Sequence, residues 1–458
     1  LLELNGRYDG SSKFPKNSRF GFFPSVSLGW RMGQEKFMNW SKSWLDDFKL
    51  RASYGSIGNQ SIDPYSYTPA MNVGLDTVWL DGNDKVSVIS LVSSTFTWET
   101  VNSFNVGFDV SAFNNRLQVV FDWFKRKTTG MLSEGIEIPS VVGAGAPLQN
   151  IADLSSKGWE INLSWRDRIG NFSYNIGFNI YDSRAFIDKF NNESGFVDRN
   201  YVGKELGEYW GYVSDGYYTI DDFVLEDAQK GVWTLKDNVV SIQGVVPQPG
   251  DEKFKDLDGD NIISPASSTL SDSGDRKVIG SKTPRYQFGA NIGVGYKGFS
   301  LDVRLQGVGK RDYVLGGAAL FPFAGSSASD AVFQPLFYNQ TDYWSAVSYD
   351  PNDPDFMKAK NPNAKLFRIY DQGNNVTSNT RASDKYIQNA AYLRVKNITL
   401  AYSFPKNWVQ KAFMKDAKIY LSIENPFTFS SLPKGYDPEG NEYNEIVWNY
   451  PYYRTISL

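Results

Sequence analysis

Apolar and polar residues alternate one by one over long stretches of this chain. Only an extended strand sorts residues onto two faces at a period of two. In GWEINLSWR, Trp159, Ile161, Leu163 and Trp165 share one face, while Glu160, Asn162, Ser164 and Arg166 share the other. In RYQFGANIGVGY, Tyr286, Phe288, Ala290, Ile292, Val294 and Tyr296 oppose Gln287, Gly289, Asn291, Gly293 and Gly295. FSLDVRLQG sets Phe299, Leu301, Val303 and Leu305 against Ser300, Asp302, Arg304 and Gln306. NFSYNIGFNIY repeats the pattern from Phe172 to Ile180, and weaker versions occur near 20–31, 46–56, 103–111, 116–125, 392–404 and 417–428.

A soluble β-sandwich also alternates, so three further details decide between architectures. The alternating runs reach about ten residues, the length a tilted membrane strand needs. Their apolar faces often end in Tyr, Trp or Phe, as membrane-interface girdles do. Their polar faces carry Arg, Asp, Glu and Gly in mid-strand, which suits a wet interior. The same picture accounts for a composition that is 16% aromatic yet hydrophilic, with a mean hydropathy of -0.41. The expected fold is all-β, a transmembrane antiparallel barrel. No apolar run approaches the ~20 residues of a membrane-spanning helix.

The connections are uneven. YKG (Tyr296 to Gly298) and RDRIGN (Arg166 to Asn171) read as tight turns, and FPKNW opens a third short link. Long polar stretches at about 184–284 and 313–390 lie between such turns. Membrane barrels characteristically pair short periplasmic turns with long extracellular loops.

His and Cys are both absent. This removes Ser–His triads, His general bases, thiolate nucleophiles and the usual zinc motifs together. Asp46 with Asp47, and Glu160, could mimic acid–base pairs, but carboxylates are scattered over the strands, so the expected role is not enzymatic and no organic cofactor is implied. Asp302, Arg304, Arg166 and Glu160 suit an interior wall. Lys plus Arg total 47 against 51 Asp plus Glu, a net charge of -4, and no basic field points to nucleic acid.

One acidic motif stands out. FKDLDGDNII places Asp256, Asp258 and Asp260 at alternate positions, as at the start of a calcium loop, with Ile262 where a backbone carbonyl serves as ligand. The sixth position is Asn261 instead of Gly, and the twelfth is Ser267 instead of a bidentate acid. Either a structural calcium or an acidic turn that binds nothing fits this pattern. Aromatic clusters are the other candidates. Trp210 and Tyr212 in GEYWGYVSDGYYTI, with Trp344 and Tyr349 in DYWSAVSYDPNDPD, could stack on sugar rings or peptides, or could pack the loops. VWNYPYYR (Val447 to Arg454) also reads as a membrane girdle or a strand end.

RYDGSSKFPKNSRFGFFPSVSLGWRMGQEKFM (Arg7 to Met38) resembles a block of the SusC/RagA-type TonB-dependent outer-membrane transporters. WLDDFKLRASYGSIGNQ, YLRVKNITLAYSFP, IYLSIENPFTFSSLPKGYDPE and YPYYRTISL resemble later blocks of that family, in order. The resemblance implies the C-terminal part of a plugged barrel of roughly 22 strands. Residues 1–458 would supply about a dozen of them, with the plug and TonB box outside this stretch. It also implies a SusD-like lipoprotein partner, TonB acting through the plug, outer-membrane lipid around the barrel, and glycans or peptides as cargo. The family's acidic motif closes soon after with DR and then IG. Here SPASSTLSDSG stretches that gap, which makes Asp275 the displaced closing carboxylate, with Asp272 as substitute. A soluble or surface carbohydrate-binding β-protein and a passive porin are the rival expectations.

Overall fold

The computed structural model describes all residues except 72, 76–83, 87–89, 94–95, 135–137, 228–231, 315–335, 337, 370–375 and 440–452. Residues 447–452 of VWNYPYYR therefore lie outside the described residues.

Twelve antiparallel strands form one open sheet whose neighbours follow chain order without a crossover. They span Leu2–Gly10, Phe20–Trp30, Leu45–Asn59, Glu99–Ala112, Leu117–Glu134, Leu148–Ile169, Phe172–Lys189, Arg285–Tyr296, Phe299–Lys310, Tyr392–Ser403, Lys418–Ser430 and Thr455–Ser457. Every alternating run read from the sequence lies in one of them. Connections of two kinds separate the ends of the sheet. One end carries the short links 31–44, 113–116, 170–171, 297–298 and 404–417. The other end carries all the long ones, including 60–98, 190–284 and 311–391. The Tyr296–Phe299 hairpin turns on Lys297 at φ 47° and Gly298 at φ 93°, a pair of positive angles that matches the right-handed twist of the flanking strands. FPKNW differs from a simple turn: Lys406–Lys411 is a short helix entered at Pro405.

Register keeps the two faces apart. Val303 lies opposite Ile292 on one neighbour and Ile398 on the other, while Asp302 lies opposite Gly293 and Thr399. A slip by one residue would exchange the faces, so the pattern itself fixes the pairing. Charges on the polar face pair across strands. Arg51 Nε donates to Asp109 Oδ1 at 3.0 Å and its Nη2 donates to Asp122 Oδ2 at 2.9 Å, linking three strands. The apolar face stays exposed, with Leu4, Leu28, Ile176, Ile292 and Leu301 all over a third accessible. A solvent-exposed apolar face of this extent needs a cover.

A band of rings marks the short-turn end. Trp40, Trp44, Phe113 and Trp165 follow one another at centroid distances of 6.3, 6.3 and 6.0 Å. Trp165 Nε1 then donates to Tyr174 Oη at 3.3 Å. Farther round, Phe299 packs on Tyr402 at 4.5 Å and Tyr402 on Phe404 at 5.2 Å. Amphipathic rings gathered at one height belong at a membrane–water boundary.

Candidate functional site

At the other end the two longest connections fold together. One cluster joins Tyr217 of the first to Tyr313, Trp344, Met357, Leu366, Phe367 and Tyr386 of the second. A second, entirely within the first connection, contains Tyr212, Tyr218, Phe223, Ile242, Phe254 and Ile263. Main-chain bonds stitch them: Tyr212 N donates to Ala382 O at 2.8 Å, Asp384 N to Tyr212 O at 3.1 Å and Arg368 N to Gly250 O at 2.9 Å. Gly250 is required at its place. Its φ is 93°, and a Cβ there would meet the Trp344 ring at 2.4 Å.

This packing locates the four aromatic candidates. Trp210 Nε1 donates to Glu208 Oε1 at 2.9 Å and to Tyr201 Oη at 3.2 Å, so it braces the loop base. Tyr212 is buried against Phe254 at 5.2 Å, with the Arg381 guanidinium over its ring at 5.4 Å. Trp344 is 1% exposed at the centre of the shared cluster. Tyr349 is 54% exposed, accepts from Ala346 N at 3.2 Å, and carries Arg368 over its ring at 5.9 Å. Three of the four serve packing, and they do not converge on one surface.

The acidic loop is brought together in part. Asp256, Asp258 and Asp260 each present a carboxylate oxygen within 4.8 Å of the others. The loop's amides turn inward on them. Gly259 N and Asn261 N donate to the two oxygens of Asp256 at 2.6 and 2.9 Å, and Ile262 N donates to Asp260 Oδ1 at 2.7 Å. Asn261 supplies the left-handed residue at φ 66°, a conformation Asn tolerates. The Asn261 and Gly259 amides pull the Asp256 carboxyl below its ordinary value. Asp258 is held above its own: the Asp260 amide lowers it, but burial and the charges of Asp275, Asp260 and Asp256 outweigh that bond. Ile262 is part of a short parallel pairing with Ser241. Asp275 stands outside the group of three. It is fully buried and accepts from Leu257 N at 2.7 Å and Ser264 N at 2.8 Å, latching the loop from beneath. Asp272 accepts from Ser267 N at 3.2 Å in the following turn.

The decisive comparison is with protein families. Residues 1–425 match the TonB dependent receptor-like, beta-barrel family profile, nearly the whole chain. The chain belongs to that family. It is an outer-membrane barrel, and the exposed apolar face is its lipid face. TonB-dependent receptor P3 of Formosa agariphila is 28% identical over 97% of this chain and 41% of its own length. TonB-dependent receptor SusC of Bacteroides thetaiotaomicron is 25% identical over 96% of this chain and 40% of its own. The structure of the RagAB peptide transporter superposes with a TM-score of 0.66 at 21% identity, over 96% of this chain and 43% of that one, which establishes the fold. The chain spans less than half the length of the curated relatives it matches.

In this TonB-dependent barrel the junction of the two long loops holds a group that the sequence did not flag. Glu252 is 1% exposed. Ser383 Oγ donates to its Oε1 at 2.7 Å, and its own amide donates to Asn379 Oδ1 at 2.7 Å. Asn379 Nδ2 in turn donates to Asp251 Oδ1 at 2.8 Å. Burial pushes the Glu252 carboxyl up to about 7, against bonds from Ser383, Tyr386 and Ser214 and the charge of Lys385. The folded protein thus binds a proton that the unfolded chain releases at the ordinary value of 4.5. The Glu252 contribution is fully present below pH 4.5 and is lost as pH rises toward about 7. At about 1.4 kcal/mol per pH unit the loss is about 3 kcal/mol. Glu252→Gln should therefore slow hydrogen exchange of residues 212–218 and 379–386 at pH 8 and leave it unchanged below pH 5, after correction for intrinsic rates. Equal effects at both pH values would refute the assignment. Sequence patterning misses this residue because EKF sits in a stretch with no periodicity, and Asn379, Ser383 and Tyr386 lie over a hundred positions away.

Proposed function

We propose that this chain is the C-terminal barrel portion of a SusC/RagA-type importer. It takes up oligosaccharides or peptides with a SusD-like surface lipoprotein and is energised by TonB through a plug. The long-loop end faces outside and the short-turn end faces the periplasm. The supporting observation is the sheet's division of labour. The sheet has a polar wall, on which Arg51 joins Asp109 and Asp122, and the two longest connections form a folded loop body at one end. A wall of that kind suits a wet passage, and a folded loop body suits recognition at its mouth. The family membership and the relatives named SusC and RagAB favour the energised reading over a passive pore. No catalytic role is included.

The test is uptake by cells carrying the full-length transporter, supplied with labelled oligosaccharide and peptide pools. Uptake should stop when TonB is deleted. Equal uptake with and without TonB would identify a passive pore instead.

Within the loop body, Asp256, Asp258 and Asp260 are proposed to hold a structural calcium. Three hard oxygen donors within 4.8 Å of one another fit a divalent cation. A bound ion would brace the loop against the Ser241–Ile242 strand rather than signal. Calorimetry on the intact transporter should show calcium binding that Asp258→Ala weakens about tenfold or more. An identical isotherm for the variant rules the ion out.

A further inference from the structure

Between the second long loop and the segment after Ser430 runs a groove of about 610 Å³. Its walls come from 338–342, 363–366, 385–388 and 431–434, stretches remote in sequence. Ala364, Leu366 and Tyr386 are buried and belong to the shared core, so the floor is built rather than incidental. Three cations line it, Lys365, Lys385 and Lys434, against one acid, Asp342. None of the three lysines forms an ion pair among the described residues. Charges nearby behave differently: Arg394 is paired with Asp437 and Glu439, and Lys396 with Glu439. Lys385 is half-buried, and its Nζ rests 4.2 Å over the Tyr217 ring. The aromatic face leaves its remaining N–H groups available; burial lowers the Lys385 pKa, and the charges of Glu252, Asp342 and Asp384 oppose that shift.

This local excess does not follow from overall charge, since the chain is net negative at -4. Nor is it general to the loop end: a groove of about 670 Å³ at 134–200 carries Glu134, Glu193 and Asp198 against Arg199. The rim of the cationic groove adds Asn363 and Gln388, and the Tyr338 ring is 87% exposed beside it. Amides and an open ring suit the neutral parts of a sugar or peptide, and the lysines suit its charges.

We propose that this groove is an anion subsite of the importer, with Lys365, Lys385 and Lys434 holding carboxylate or sulfate-ester groups of the cargo. The inference deepens the import reading and rests on it. Cargo lacking such groups would gain nothing here, so the subsite selects acidic oligomers over neutral ones of the same size.

The experiment is calorimetry on the purified full-length transporter with four probes: trigalacturonate, a chondroitin sulfate tetrasaccharide, tetraglutamate and neutral maltotetraose. At least one acidic probe should bind more tightly than maltotetraose, with affinity falling as salt rises. Which one binds separates carboxylated sugar, sulfated sugar and peptide sources. Lys365→Gln/Lys434→Gln changes two exposed side chains, leaves the core intact, and should weaken that binding about tenfold. Maltotetraose should be indifferent to the variant. The subsite is overturned if no acidic probe binds, if the neutral sugar binds as well, or if the double variant binds the acidic probe as tightly as the parent. TonB-dependent uptake surviving any of these results leaves the import reading standing and removes only the subsite.

Discussion

Arg394→Ala should destabilise the loop end of the barrel by about 3–5 kcal/mol. Arg394 is 1% exposed at the long-loop end of the Tyr392–Ser403 strand. Its Nη2 reaches Asp437 Oδ2 at 2.5 Å, its Nη1 reaches Glu439 Oε2 at 3.0 Å, and its Nε donates to Thr428 Oγ1 at 2.9 Å. These bonds fold the segment after Ser430 back onto the sheet. Truncation leaves two mostly buried carboxylates with Lys396, at 2.6 Å from Glu439, as the remaining paired cation among the described residues. The cost is that of stranding buried charge, which exceeds the net worth of the pair. Arg394→Met combined with Asp437→Asn and Glu439→Gln should recover most of the loss, because no buried carboxylate is then stranded and only the more accessible Lys396 loses a partner. Urea unfolding of the full-length protein in lipid vesicles reads both variants. A single variant within about 0.5 kcal/mol of the parent would show the network to be dispensable.

The second large effect separates the two faces of one strand. Val303 sits mid-strand on the apolar face between Ile292 and Ile398. Val303→Lys should cost about 2–4 kcal/mol, the penalty for a lysine near the bilayer midplane. Thr399→Lys puts the same side chain on the polar face beside Asp302. There it meets water and an opposite charge, and should cost under about 1 kcal/mol. Comparable losses for both would place no lipid on the Val303 side.

The barrel was legible because its physics is local. Alternation at Trp159 to Arg166 or Phe299 to Gln306 states the strand, its two faces and its register at once. The turns at 170–171 and 297–298 follow from the same reading, although Arg166–Ile169 of RDRIGN belongs to the strand, and the helix at Lys406–Lys411 has no alternation to announce it. The loop body was much less legible. DLDGDN is a contiguous motif, and its three aspartates do gather. Asp275 sits beyond a stretch of Ser and Thr, and its work, latching the Leu257 and Ser264 amides, depends on a fold the spacing does not specify. Trp210, Tyr212 and Trp344 drew attention as aromatic residues in polar loops. The same property lets them pack a core where no hydrophobic period exists. Glu252, Lys365, Lys385 and Lys434 carry no sequence signal, since each acquires its neighbours only when separate loops meet.

The central claim is that Phe299–Lys310 and its neighbours present one face to lipid and the other to a water-filled interior. The stretch contains no cysteine, so single Cys residues can be placed at successive positions from 300 to 306 of the full-length protein in outer-membrane vesicles. A water-soluble thiol reagent should label 300, 302, 304 and 306 and spare 301, 303 and 305, while a lipid-soluble reagent gives the reverse. Labelling by the water-soluble reagent at every position, with no alternation, would contradict the barrel.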